Sequence, residues 1–246
     1  MSTSVKRESK RPSTPARADP GRTLSATRSP TETPGRAAQG AATRTALVTA
    51  AREIFGRKGF ADASLNEIVA QAGVTKGALY HHFGGKEDLF SAVYEQVSHD
   101  VSDAVVVEFL RPDPWEALLI GCDLWIDAHL DPAVQRIAMR DARAVLGWQV
   151  VREVETRFGA VPLRGVLRRA VRTGVIDEQP LRPLSLTIKG ALDEACFYVA
   201  DAEDTEVALT EVRAVFRRLL AGLRTPAPPG SAPSGTRRVT AHRRST

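Results

Sequence analysis

The sequence predicts an all-α chain of two domains, a three-helix N-terminal head and a longer helical body. Three observations predict it. Apolar residues recur at helical spacing, prolines and glycines fall where helices start and stop, and no stretch alternates as a half-buried strand would.

The elements follow in chain order. Residues 1–40 are rich in Ser, Thr, Pro, Arg and Gly and nearly lack large apolar side chains, which predicts a disordered basic arm. The head is expected over 41–101. Leu47, Ala51, Ile54 and Phe55 form one stripe that covers the other two helices; Gly59 is expected to end that helix and Phe60 to seal the corner. Leu65, Ile68, Val69 and Ala72 fall on one arc of a second helix, with Ser64 and Glu67 spaced as a capping box and Gly73 as a left-handed stop. A third helix starts at the N-cap Thr75 and turns Leu79 and Phe83 inward. Lys76, Gly77, Tyr80 and His81 then point outward: a cation, a position without a side chain, a phenol and an imidazole. That set suits close approach to phosphates and base edges, and the free N–H groups at the start of the helix favour a phosphate beside Thr75. The helix-turn-helix so defined covers 64–83. After Gly84-Gly85, Lys86-Glu87-Asp88 starts a long helix with Leu89, Phe90, Val93, Tyr94 and Val97 on its apolar side. Lys86 is placed to hold a phosphate while its helix runs on into the body.

The stretch from about Ala42 to Val101, with TRTALVTAAREIFGRKGF followed by SLNEIVAQAGVTKGALYHHFGGKEDLF, resembles the DNA-binding domain of the TetR (tetracycline-repressor-like) family. The run Gly-Val-Thr-Lys-Gly-x-Leu-Tyr-His-His-Phe is among the more specific signatures a helix-turn-helix can carry. Beyond roughly residue 110 the resemblance is not visible. It implies a DNA-binding head on a helical ligand-binding and dimerisation domain, working as a ligand-released repressor of a palindromic operator. In the corresponding roles, Ser64, Thr75, Tyr80, His81 and Lys86 hold phosphates, Lys76 and Gly77 read base edges, and Arg44 grips the flanking backbone.

The body, 102–224, reads as helices divided by turn residues. Asp113-Pro114 with Glu116, and Asp131-Pro132, are helix starts; Gly147, Gly159 and Gly174 are expected stops, with Pro162 near a further start. Two last helices, about 181–201 and 204–223, carry more apolar surface than one chain's core needs. Leu184, Ile188, Leu192 and Val199, then Val212, Val215, Phe216, Leu219 and Leu220, are the main contributors, and Gly190, Ala191 and Ala195 permit close approach. A homodimer through these helices is expected, as the resemblance also implies. Phe109, Trp115, Trp125, His129, Met139, Trp148, Phe197 and Tyr198 are the candidates to line a pocket for a small hydrophobic effector. Residues 225–246 repeat the composition of the leader and predict a basic tail.

Net charge does not identify the partner. The chain carries +5, yet residues 1–42 hold eight basic and three acidic groups and 225–246 four basic and none acidic. What remains is acidic, so DNA binding rests on the placement of a few cations. Cys122 and Cys196 predict free buried thiols and no disulfide framework. The apolar runs fall short of the roughly 20 residues of a membrane span, and the cytoplasm is the expected compartment. No nucleophile, metal or phosphate-loop motif is present, so neither an enzyme nor a cofactor is expected. His81 and His82 are poor joint metal ligands because adjacent helical residues diverge by about 100°. The remaining alternative is a helical adaptor whose head has lost DNA binding.

Overall fold

Helix α1 spans Arg36–Asp62 and buries Leu47, Ala51, Ile54 and Phe55 as the stripe predicts. The computed structural model describes residues 35–225; most of the expected leader, 1–34, and nearly all of the tail, 226–246, lie outside the described residues. One boundary needs correction, since residues 36–40 were expected in the arm and are helical. The run Arg-Ala-Ala-Gln-Gly-Ala-Ala supplies the reason, because alanine is the strongest helix former and extends an existing helix without burial. Gly59, expected as a stop, is instead a kink with φ of 81°.

Helices α2 (Leu65–Gln71) and α3 (Lys76–His82) follow, and Gly73 between them has φ of 66°. Ser64 Oγ accepts from the Asn66 N–H at 3.2 Å, while Glu67 is ion-paired with Lys58 at 2.5 Å. Phe55, Phe60 and Phe90 then lock the head together, with ring centroids 5.1–5.9 Å apart and two of the three pairs edge to face. Helix α4 spans Lys86–Phe109. The expected domain boundary at 101/102 therefore falls inside one helix, which the head and the body share.

Asp113 caps α5 (Pro114–Ala128), accepting from the N–H groups of Trp115 and Glu116. Asp131 caps the single turn α6 (Pro132–Val134) in the same way. Next, Gln135–Asp141 is wound as a π-helix and leads into α7 (Ala142–Glu155), which breaks at Gly147 with φ of 78°. A second π-helical stretch, Thr156–Ala160, precedes α8 (Val161–Arg172). Gly159 is not the expected stop. It is buried inside that π stretch, where a Cβ would lie 2.5 Å from Lys189 Cε, so the absence of a side chain serves packing. Gly174, with φ of 72°, does end α8.

The last two helices are α9 (Leu181–Ala200) and α10 (Thr205–Ala221). Arg213 and Arg217 of α10 pair with Asp127 and Asp123 of α5. Arg169 of α8 donates to the carbonyls of Phe109, Arg111 and Pro112 and so holds the end of α4. One antiparallel bridge, Ile176 with Arg224, is present among the described residues.

Candidate nucleic-acid interface

In α3 the sequence divides cleanly between an inner and an outer face. Leu79 and Phe83 are buried, at 1% and 3% exposure, and anchor the helix to the head. Thr75 adopts an extended backbone and accepts from the Ala78 N–H at 3.2 Å. Lys76, Gly77 and His81 are exposed, and Tyr80 presents 59% of its surface although it is a large aromatic residue. Glycine in a helix costs roughly 0.5–1 kcal/mol relative to alanine, and a Cβ on Gly77 would meet only Thr75 Oγ1, at 3.8 Å. Nothing inside the chain therefore requires glycine there. Close approach of an external backbone would.

The flanking candidates are placed differently. Arg44 is exposed, with its guanidinium 5.2 Å from the Phe83 ring centroid. Ser64 caps α2 as an acceptor, which leaves its hydroxyl hydrogen to donate. Lys86 points inward: its ammonium donates to the Ala61 carbonyl at 3.2 Å and sits 4.5 Å from the Phe60 ring centroid. In this conformation it fastens the corner between α1 and α4.

The body contains a cavity between α4, α5, α9 and the two π-helical stretches. Of the residues expected to form a pocket, Trp125, His129, Met139 and Phe197 line it. Phe109 is instead packed in the core against Gly121, Trp115 lies under Arg224, Trp148 is exposed between Arg143 and Arg152, and Tyr198 is exposed and donates to Glu211. The reading from sequence missed Tyr94, Arg143, Glu155, Phe158, Lys189 and Asp193, which also line it. A lysine at position 189 of an otherwise apolar helical face was the one visible signal.

Burial governs the electrostatics of this wall. Desolvation holds His129 below its ordinary pKa, opposed by its hydrogen bond to the Trp125 carbonyl and aided by Lys189. It raises Glu155 and Tyr94 above their ordinary values, and pushes the Cys196 thiol up to about 12. Lys189 tolerates burial because its ammonium lies 2.6 Å from both Asp193 oxygens and 4.7 Å from the Trp125 ring centroid.

Besides α4, which lines the cavity and is shared with the head, a second element joins the two. The π-helical stretch Gln135–Asp141 contributes Ala138 and Met139 to the cavity, while its Asp141 Oδ2 accepts from the Phe60 N–H of α1 at 2.7 Å. Just ahead of it, Ala133 abuts Gly56, where a Cβ would come within 2.6 Å of the Ala133 Cβ. π-helical turns are rare and are often found at functional sites.

A helix-turn-helix with an exposed polar face, joined to a helical body with a cavity, is the architecture of a DNA-binding regulator. The comparisons agree in both halves. Residues 47–93 match the model for bacterial regulatory proteins of the tetR family, and residues 115–223 the tetracyclin repressor-like C-terminal domain. A TetR-family transcriptional regulator of Pectobacterium atrosepticum is 35% identical, covers 78% of this chain and 98% of its own, and superposes with a TM-score of 0.68. The transposon Tn10 TetC protein of Escherichia coli is 22% identical over 178 residues, 72% of this chain and 90% of that protein. RolR, solved in complex with resorcinol, shares the fold at 22% identity, with a TM-score of 0.59 over 75% of this chain and 90% of its own. The chain belongs to the TetR family of DNA-binding transcriptional regulators.

Proposed function

We propose that the protein is a dimeric repressor that binds a palindromic operator through α3 and is released when a small effector enters the body cavity. The observation that carries this is the division of α3, in which Leu79 and Phe83 are buried and Lys76, Gly77, Tyr80 and His81 are left free of internal work. Thr75, Tyr80, His81 and Ser64 contact phosphates, Lys76 and the gap at Gly77 read base edges, and Arg44 reaches the flanking backbone. Lys86 joins the phosphate set by exchanging the Ala61 carbonyl for a phosphate oxygen. The adaptor alternative is disfavoured because a head that no longer met DNA would have no use for an exposed tyrosine and an unneeded helical glycine. Such a repressor works in the cytoplasm, where its operator lies; no described helix is long and apolar enough to cross a membrane.

Dimerisation uses α9 and α10. Val207, Val215 and Leu219 lie on one side of α10 at multiples of four residues and are each more than half exposed, as is Tyr198 of α9. A Cβ on Gly190 would meet nothing within 4 Å, so a second helix can approach there. Burying this surface against a second copy presents two recognition helices at about 34–36 Å or a related spacing. An effector in the cavity bears on Met139 and Ala138, and the π-helical stretch passes the displacement to Gly56, Phe60 and the end of α1. A coupling of ~1–3 kcal/mol changes operator affinity ~5- to 150-fold. RolR, with resorcinol bound, supports an effector role for this fold.

Selection of random duplexes by the purified protein tests the proposal. The expected product is a palindrome bound by two chains per site. Recovery of no consensus, or of a half-site bound by a monomer, would refute it.

A further inference from the structure

Two hollows between α7, α8 and α9 differ in charge. The first, beside the cavity, is lined by Arg143, Arg152 and Lys189 and equally by Glu155, Asp193 and Glu194, so cations and carboxylates are matched. The second shares Arg152 and Thr156 with it and is not matched. Arg152 of α7, Arg164 of α8 and Arg182 of α9 line this second hollow, and none of its lining residues is acidic.

Nothing inside the described chain neutralises these three cations. None of them forms an ion pair among the described residues. Nor do their side chains donate to backbone carbonyls, as Arg169 does to three. Glu155 and Asp193 of the neighbouring hollow are already taken by Arg143 and Lys189. Arg182 also stands in the first turn of α9, where the helix dipole is positive and neither an acidic residue nor a side-chain cap offsets it. Each of the three is therefore disfavoured by the other two, and Arg182 by its own helix as well. The chain bears this cost without an internal partner. An external anion would offset it.

Access and size agree. Arg152 and Arg182 are exposed and Arg164 is half-buried, so an ion reaches the hollow without displacing the core. At about 100 Å³ the hollow has room for several waters, and so for a tetrahedral oxyanion.

We infer that this hollow is an anion site that takes a phosphate group, held by Arg152, Arg164 and Arg182. Guanidinium groups are planar forks of N–H donors with no acceptor, and they match an ion that only accepts. A phosphate dianion presents enough oxygens for three forks, whereas a carboxylate presents two. The site lies apart from α3 and stands whether or not the protein reads an operator. Beside it, Trp148 is 58% exposed, with the Arg152 guanidinium 5.5 Å from its ring centroid. An organic phosphate would rest an aromatic carrier on that ring; the free ion would not use it.

The experiment titrates the full-length protein by calorimetry, at constant ionic strength, with inorganic phosphate, phenyl phosphate, acetate and chloride. Phosphate is expected to bind, acetate at least about tenfold more weakly, and chloride without saturation. Arg164→Gln and Arg182→Gln should each weaken phosphate about tenfold. Arg164→Lys should restore only part of the loss, because an ammonium does not reproduce the fork. Arg168→Gln, on the same helix but outside the hollow, should leave binding within about twofold of the wild type. Arg182 is exposed, so its variant tests the site even where Arg164→Gln does not fold. Phenyl phosphate binding more tightly than inorganic phosphate, with the gain removed by Trp148→Ala, identifies an organic phosphate; equal binding identifies the free ion. No phosphate binding, acetate binding as tightly, or affinity unchanged in both glutamine variants would overturn the site. Glutamine variants that sediment as monomers where the wild type is a dimer would assign the arginines to the contact between copies and overturn it too.

Discussion

The head and the body build their proposed working surfaces in opposite ways. In the head, Thr75, Lys76, Gly77, Tyr80 and His81 come from one short stretch of chain, and the buried Leu79 and Phe83 anchor it. In the body, Tyr94, Trp125, Met139, Glu155, Lys189 and Phe197 come from separate segments that only the fold brings together. The first surface depends on helical periodicity and little else. The second depends on every helix being where it is, so the head is expected to be sensitive to a few residues and the body to the packing that relates them.

The sharpest way to break the contrast is at the anchor of α3. Phe83→Ala leaves every side chain of the proposed DNA face unchanged, yet it should cost about 3–5 kcal/mol of head stability and abolish operator binding. Thermal melting and a mobility shift check it together, and a variant that still bound would show that α3 keeps its place without this anchor. Next in size is the connection between the two regions. Asp141→Ala removes the acceptor from the Phe60 N–H, a charge-assisted bond of about 1.5–3 kcal/mol, and hydrogen exchange at the Phe60 amide should speed up by about ten- to a hundredfold. Unchanged exchange would mean that the head is not held through this link.

Lys76→Ala should lose ~1–3 kcal/mol of discrimination at one base position of each half-site while general DNA affinity changes less; repeating the duplex selection with the variant reads this directly. Gly77→Ala separates folding from recognition. The helix gains roughly 0.5–1 kcal/mol and melting rises, while operator affinity falls because a methyl group now stands where DNA approaches. A rise in both would remove Gly77 from the interface.

The smallest effect lies in the body and concerns pH. His129 is held below its ordinary pKa in the folded protein, faced by Lys189 and Asp193 of α9. The unfolded chain therefore takes up this proton more readily, and stability present above about pH 6.5 is lost as the pH falls. The difference in melting between the wild type and His129→Leu should shift in favour of the variant on acidification. A difference constant with pH would show that the imidazole is not desolvated.

Helix starts were legible wherever a side chain caps its own neighbours, as Asp113 and Asp131 do, because such bonds span only two or three residues. The bounds of α9 and α10 were legible within a few residues for a similar reason. Glycines were harder to read. Gly73 and Gly174 end helices, but Gly59 and Gly147 kink them, and Gly159 exists to accommodate Lys189 of another helix. The aromatic residues chosen as pocket lining were divided by the fold: Trp125 and Phe197 reach the cavity, whereas Trp148 and Tyr198 do not. Composition alone does not distinguish these cases. Lys86 shows the same limit on the other side, since its sequence position allows a phosphate contact and its packing gives it the Ala61 carbonyl.

Sequence alone determined the helical class, the caps at Thr75, Asp113 and Asp131, the two faces of α3 and the resemblance of the head to its family. The caps and faces depend on residues within about one helical turn of one another, where the backbone dictates which side chains share a face, and the resemblance is a run of such local patterns. Only the tertiary structure decided the wall of the body cavity, the meeting of Arg152, Arg164 and Arg182 in one hollow and the link from Asp141 to Phe60, because these arise from distances between residues that the chain's order leaves unspecified.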